Sequence, residues 1–314
     1  MSINMTTTSQ LPPAVRDYYD RLVLMTAYPA LIHTRFAQHR KLPQKSGDQI
    51  VFRRYNRLAT VPIALDDGIT PPATPLSVND IKARVQWYGN FVIITDQVQQ
   101  TVQDEVLNQA ARLLSENLAQ TCDELTRDVL VSCSSVYECK YGSNGNTPTN
   151  MTKEDIETVV QNLLSNNALM ISEVITGMDF FGTSPVRPAF WGMIDTDLLD
   201  DLESVSNFQN TANYPRQTIL DNEWGSVGNV RFLMTSVGYV SGATPAVYSV
   251  PVVGKEAYAV VSLGSNMGEF YVHPLGSGGV SDPLAQRGSV GWKLPFVSRI
   301  LNDAFMYVML TTHS

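Results

Sequence analysis

The sequence predicts an α+β protein, and three stretches carry that prediction. Residues 95–132 read as one long amphipathic helix, residues 49–94 alternate as strands around a proline-rich middle, and residues 229–275 form short strands separated by glycine and proline. Together they describe an elongated platform with a spine helix, a two-stranded ribbon arm and an inserted mixed domain.

The spine is the element against which the rest is placed. In TDQVQQTVQDEVLNQAARLLSENLAQTCDELTRDVLVS the apolar side chains fall at Val98, Val102, Val106, Ala110, Leu113, Leu114, Leu118, Cys122, Leu125 and Val129. Steps of three and four residues align them in one stripe. Asp96 followed by Gln99 suits a capping box, and neither Pro nor Gly interrupts the positions that follow. At 1.5 Å per residue the rod would be about 50 Å long, and it needs an extended surface to lie on. The repeat drifts from a clean heptad, which favours a rod on a sheet over a dimeric coiled coil.

Before the spine, residues 1–13 read as a polar lead ending in Pro12-Pro13, and residues 15–36 as a helix-like run broken at Pro29. With Arg35, Arg40, Lys41 and Lys45 after it, this segment has the character of an arm that docks on its own body or on a neighbour. DQIVFRRYNRL and DIKARVQWYGNFVII then alternate with a period of two and read as the two strands of a ribbon. Between them Pro62, Pro71, Pro72, Pro75 and the turn Asp66-Asp67-Gly68 exclude a sheet interior. An isolated ribbon is marginal in water, so a chain that spends over forty residues on one is expected to lay it on a partner.

After the spine, Thr152 with Asp155 signals the cap of a second helix with its stripe at Ile156, Val159, Val160, Leu163 and Leu164. A short helix is expected at 195–205, then strands at 229–236, 245–253, 257–264 and 268–275, a flexible GSGG at 276–279, and a last strand from Trp292 through AFMYVMLTT returning beneath the spine.

Charge and composition restrict the function. The chain has 314 residues and a net charge of -8, unevenly spread. Residues 1–60 hold nine Lys and Arg against three Asp and Glu, whereas residues 61–314 hold 13 against 27. A basic first fifth on an acidic body suits contact with another copy of that body better than coating nucleic acid. Cys122, Cys133 and Cys139 have neither zinc nor disulfide spacing and read as isolated thiols in a reducing compartment. Neither a signal peptide nor an apolar run long enough to span a membrane is expected.

Signs of catalysis are sparse. His33, His39, His273 and His313 are scattered, and the phosphate-binding, dinucleotide-binding and nucleophile-elbow motifs do not occur. The carboxylates Asp195, Asp197, Asp200 and Asp201 are the best candidates for a cation, but they lack the glycine and terminal Glu of a calcium loop and suit a helix start. Asp66 and Asp67 read as turn formers. No catalytic, cofactor or metal residue is assigned, and the chain reads as structural.

WYGNFVIITDQV at 87–98, Gln120-Thr121-Cys122-Asp123 within the spine, and PLAQRGSVGWK at 283–293 followed by an apolar strand carry a resemblance over almost the whole chain. In these stretches the sequence resembles the major capsid proteins of tailed bacteriophages, of the podovirus type, which have the Hong Kong 97 capsid fold. The resemblance implies an N-terminal arm at 1–48, an extended loop at 49–94, a peripheral domain at 95–140 with 283–314, and an axial domain at 141–282. It implies self-assembly into pentamers and hexamers of an icosahedral virion shell enclosing double-stranded DNA, assembled in the bacterial cytoplasm. Scaffolding and portal proteins would be partners, a decoration protein an optional one, the packaged DNA a non-specific one, and no membrane is involved. Candidate contacts between subunits are Arg40, Lys41, Lys45, Arg53, Arg54, Arg57, Asp66 and Asp67. Some relatives crosslink Lys to Asn; no Lys lies between 46 and 81, so a non-covalent shell is expected here. Two alternatives stay open: an enzyme with a carboxylate site around Asp195 or Asp197, and a non-capsid self-associating protein such as a phage accessory protein or a cellular nanocompartment shell.

Overall fold

The computed structural model describes residues 32–43, 47–56, 58, 73–101, 106–144, 147–172, 187–214, 219–242, 244–263, 269–275, 282–284 and 286–313. The N-terminal lead and helix-like run to residue 31, the ribbon tip, Lys45, Arg57, Asp66, Asp67 and the GSGG segment lie outside the described residues.

A five-stranded sheet is built on the pair β4 (Gln86–Thr95) and β14 (Arg287–Ile300), antiparallel with Gln86 opposite Phe296 and Thr95 opposite Arg287. On its other edge β14 pairs with β12 (Tyr258–Leu263) and β13 (Glu269–His273), and β1 (Gln38–Leu42) adds to β12 in parallel. Alternation along β14 turns Val290, Trp292, Leu294 and Phe296 to one face, where they share a core with Leu114, Cys122 and Leu130 of the spine. Asn117 fixes the crossing, its Oδ1 accepting from Asn90 Nδ2 at 3.0 Å and Trp292 Nε1 at 3.2 Å.

The single rod expected over 95–132 is described as α1 (Asp96–Thr101) and α2 (Val106–Val131), with 102–105 outside the described residues. At 26 residues, α2 is about 39 Å long. Its buried line is Ala110, Leu114, Cys122, Thr126 and Leu130, with Leu118 and Leu125 half-buried against the same core. Leu113, expected on that stripe, is turned out, because it lies one residue and so about 100° from Leu114.

The ribbon is a separate two-stranded sheet of β2 (Gln49–Tyr55) and β3 (Val78–Arg84). DIKARVQWYGNFVII is therefore two strands rather than one. Val85 makes the corner, its side chain buried with Leu42 and Val261 and its N–H donating to Asp48 O at 2.8 Å, and the next residue enters β4.

The eight-stranded sheet runs β5 (Val136–Glu138), β15 (Met306–Thr312), β11 (Val247–Val253), β6 (Phe190–Asp195), β9 (Val230–Thr235), β8 (Glu223–Val227) and β7 (Gln209–Asn210), with β10 (Tyr239–Val240) beside β11. It separates two cores. Trp191, Met193, Met306 and Val308 face the spine side, while Phe190, Ile194, Val252 and Met309 pack with α3 (Lys153–Ser165) and α4 (Leu199–Ser204). The last segment is consequently two strands. β14 lies under the spine, and after a turn capped by Asn302, whose side chain accepts from Ala304 N at 3.3 Å, β15 crosses into the larger sheet. In α3 the cap is as expected, Thr152 Oγ1 accepting from Asp155 N at 3.4 Å, but Leu164 is turned out.

Candidate interaction surface

Asp123 on the spine holds the segment that leads into β1. His33 Nδ1 lies 2.7 Å from Asp123 Oδ2, and the backbone N–H groups of Ile32 and Thr34 donate to the same carboxylate at 3.4 and 3.2 Å. Tyr258 OH donates to His33 O at 2.6 Å. Three residues on, Phe36 stacks on Trp191 with ring centroids 4.9 Å apart, and the buried Arg231 lies over the Trp191 ring at 4.5 Å while its guanidinium pairs with buried Glu223. Residues 32–36 are thus held on the body, and β1 begins two residues later.

At the base of the ribbon the charges are partly spent within the chain. Arg53 stands opposite Asp80 and donates twice to its carboxylate, from Nε at 3.0 Å and from an Nη at 3.2 Å. Arg84 Nε donates to Asp48 at 2.7 Å. These hydrogen bonds hold both carboxyls below their usual range. Such exposed pairs align the strands and add little stability. Arg54 reaches back to the carbonyl of Leu301 at 3.5 Å.

Of the eight predicted contact residues, Arg40, Lys41, Arg53 and Arg54 are described and Lys45, Arg57, Asp66 and Asp67 are not. Arg40, Arg53 and Arg54 line one pocket of about 490 Å³ together with Ile50, Phe305 and Glu256. Lys41, the next residue along β1, is exposed outside that lining. Arg40 and Lys41 have no ion pair among the described residues.

Three of the four aspartates weighed for a cation are engaged with the fold. Asp195 caps the turn that follows β6 and accepts from Asp197 N and Gly238 N, each at 3.0 Å; Asp197 accepts from Tyr248 OH at 3.1 Å; and Asp201 meets His313 at 2.7 Å. Among the described residues no group of three or more ligating side chains converges.

A second surface was missed in the sequence. On the sheet face away from the spine, Trp87, Phe91 and Tyr271 stand exposed around a shallow groove of about 450 Å³, with Lys293 Nζ 4.4 Å from the Trp87 ring centre. The signal was present in WYGNF, where residues 87 and 91 share a strand face opposite Tyr88, Val92 and Ile94.

A family model for phage capsid proteins matches residues 78–301, from the second ribbon strand through the turn after β14. The chain belongs to the phage capsid protein family. Solved structures agree in fold at low identity. The chain is similar to the head protein of Helicobacter pylori bacteriophage KHP40 (10% identity, TM-score 0.67, covering 100% of this chain and 98% of that one). It is also similar to the capsid of Ralstonia phage GP4 (12%, 0.68, 100% and 99%) and to that of cyanophage P-SCSP1u (14%, 0.66, 99% and 96%). No curated protein matches the sequence. This capsid protein has the Hong Kong 97-like α+β fold, its place is the virion, and membership of a structural family decides against the enzyme reading.

Proposed function

We propose that copies of this capsid protein associate as pentamers and hexamers, that these close into an icosahedral shell around the double-stranded DNA of a tailed phage, and that scaffolding and portal proteins assist. The observation that carries this reading is the ribbon. Among the described residues it is a sheet of two strands paired with no third, and Val51, Tyr55, Leu58, Leu76 and Val78 along it are exposed. A single copy gains little from such an arm, whereas an adjacent copy can cover it.

In this reading residues 1–48 are the arm and 49–94 the extended loop. Residues 95–140 with 283–314 form the peripheral domain and 141–282 the axial domain, with β15 joining the last two through the larger sheet. Arg40, Lys41, Lys45, Arg53, Arg54, Arg57, Asp66 and Asp67 serve contacts between subunits. The acidic body leaves packaged DNA free to move, and any contact with it is non-specific. Electron microscopy of the expressed protein, alone and with its scaffold, tests the proposal. Closed shells or five- and six-membered rings are expected; monodisperse monomers under all conditions would overturn it.

A further inference from the structure

We infer that the arginine pocket at the ribbon base receives the acidic ribbon tip of a second copy, so that each subunit offers one tip and one pocket and the contact runs head to tail. This rests on the assembly reading above and names the contact within it. The arginines of the pocket come from two separate strands, Arg40 from β1 and Arg53 and Arg54 from β2, and apolar Ile50 and Phe305 share the lining. Arg53 is already matched by Asp80, and Glu256 is the one carboxylate among the described residues of the lining. Arg40 and Arg54 have no carboxylate partner among the described residues, so the pocket keeps a positive surplus.

The complementary charge is in the same sequence. Between residues 58 and 79 the chain carries Asp66 and Asp67 and neither Lys nor Arg. Half of the 22 residues between Tyr55 and Val78 reach at most about 40 Å, about twice the radius of gyration of roughly 20 Å for a chain of this length. A tip can therefore extend to the next body. A contact of unlike patches is heterologous, and it generates a closed ring when the rotation between copies closes.

Reciprocal charge reversal tests this. One variant carries Arg40→Glu and Arg54→Glu; the other carries Asp66→Lys and Asp67→Lys. Arg53 is left alone because it aligns the ribbon. Each variant by itself should associate at least about tenfold more slowly than wild type in light scattering, since like charges then face each other. An equimolar mixture should recover most of the rate, because each reversed tip meets a reversed pocket on the other variant and each native tip a native pocket. Sedimentation and thermal unfolding of the unassembled variants check that both fold. Reversals without effect, or a mixture as slow as its components, would overturn the tip-to-pocket contact while leaving the assembly of wild-type subunits standing. Docking of a tip in its own chain's pocket predicts the second of these outcomes. Failure of wild-type subunits to form rings or shells would instead remove the assembly reading itself.

Discussion

Asp123 occupies a position on α2 where an amphipathic pattern wants an apolar side chain, and it is buried to 1%. Its carboxylate is compensated by His33 and by the N–H groups of Ile32 and Thr34, so the cost of burying charge is met by well-placed donors. Removing it leaves a buried imidazole and two backbone donors without their acceptor. Asp123→Ala should cost about 3–5 kcal/mol, against within about 0.5 kcal/mol for exposed Gln109→Ala, both read by chemical denaturation of assembly-blocked subunits. The thiols make a second residue-scale test. Cys122, Cys133 and Cys139 are free and buried, and burial pushes Cys122 up to about 12 and Cys133 up to about 11 from a starting value of 9.0. Iodoacetamide at pH 8 should leave the folded subunit unlabelled and modify all three thiols after denaturation. The unfolded thiols lose their protons near pH 9 while the folded ones keep them. Their contribution is thus complete below that pH and is lost as pH rises toward 11 to 12, by up to about 1.4 kcal/mol per pH unit for each thiol. Denaturation midpoints at pH 8 and 10 measure the decline; a higher midpoint at pH 10 would contradict it.

The spine helix separates what its sequence showed from what it hid. Leu114→Ala should cost about 2–5 kcal/mol because the side chain is buried in the spine-side core. Leu113→Ala should stay within about 0.5 kcal/mol because its side chain is turned out. Equal costs in denaturation would mean the face is assigned wrongly. Periodicity alone counted both residues, since two adjacent leucines straddle the edge of any stripe. It passed over Asp123, whose burial depends on partners ninety residues away in the chain. The ribbon, the capped α3 and the strands β9, β11, β12 and β13 were legible because period and turn residues agree there. β6 was missed because FWGMID is buried on both faces and shows no alternation, and its Gly192 is needed where a Cβ would come within 2.6 Å of Phe232. β1 was missed because QHRKL is a charged edge that reads as arm. At the interaction surface, the types and signs of the residues were legible, but the convergence of Arg40 with Arg53 and Arg54 was not, since it depends on β1 pairing with β12. The ribbon gives a further element-scale prediction. Among the described residues its strands pair with no third strand, so replacing residues 62–76 by a Gly-containing turn should leave a soluble subunit of unchanged thermal stability that fails to form shells. Normal assembly of the deletion variant in sedimentation would show the tip to be dispensable.

At the scale of the whole molecule, the division of charge makes a prediction about ionic strength. The first sixty residues carry a surplus of six positive charges, and the other 254 a deficit of fourteen, so a copy presenting its arm and ribbon base to another's body is attracted to it. The structure reduces the number of charges available. Arg53 and Arg35 are engaged inside the subunit, Arg53 with Asp80 and Arg35 with the carbonyl of Asp221 at 2.9 Å, which leaves Arg40 and Lys41 as the exposed cations on β1. Each exposed pair is worth only about 0.2–1 kcal/mol, but every subunit repeats it around a shell. Screening beyond about 8 Å at physiological salt weakens that attraction, whereas an interface made by apolar residues such as Val51, Tyr55 and Leu76 holds or strengthens as salt rises. Light-scattering growth of purified subunits across roughly 0.05 to 0.5 M NaCl should therefore slow with salt. A variant with Arg40, Lys41 and Lys45 changed to Gln should start slower and respond less. A wild-type rate that is flat over the series and equal to that of the variant would remove the basic arm from the contact between copies. The apolar ribbon would then be left to drive association, and the arm's charge would face the acidic body of its own chain or the DNA inside.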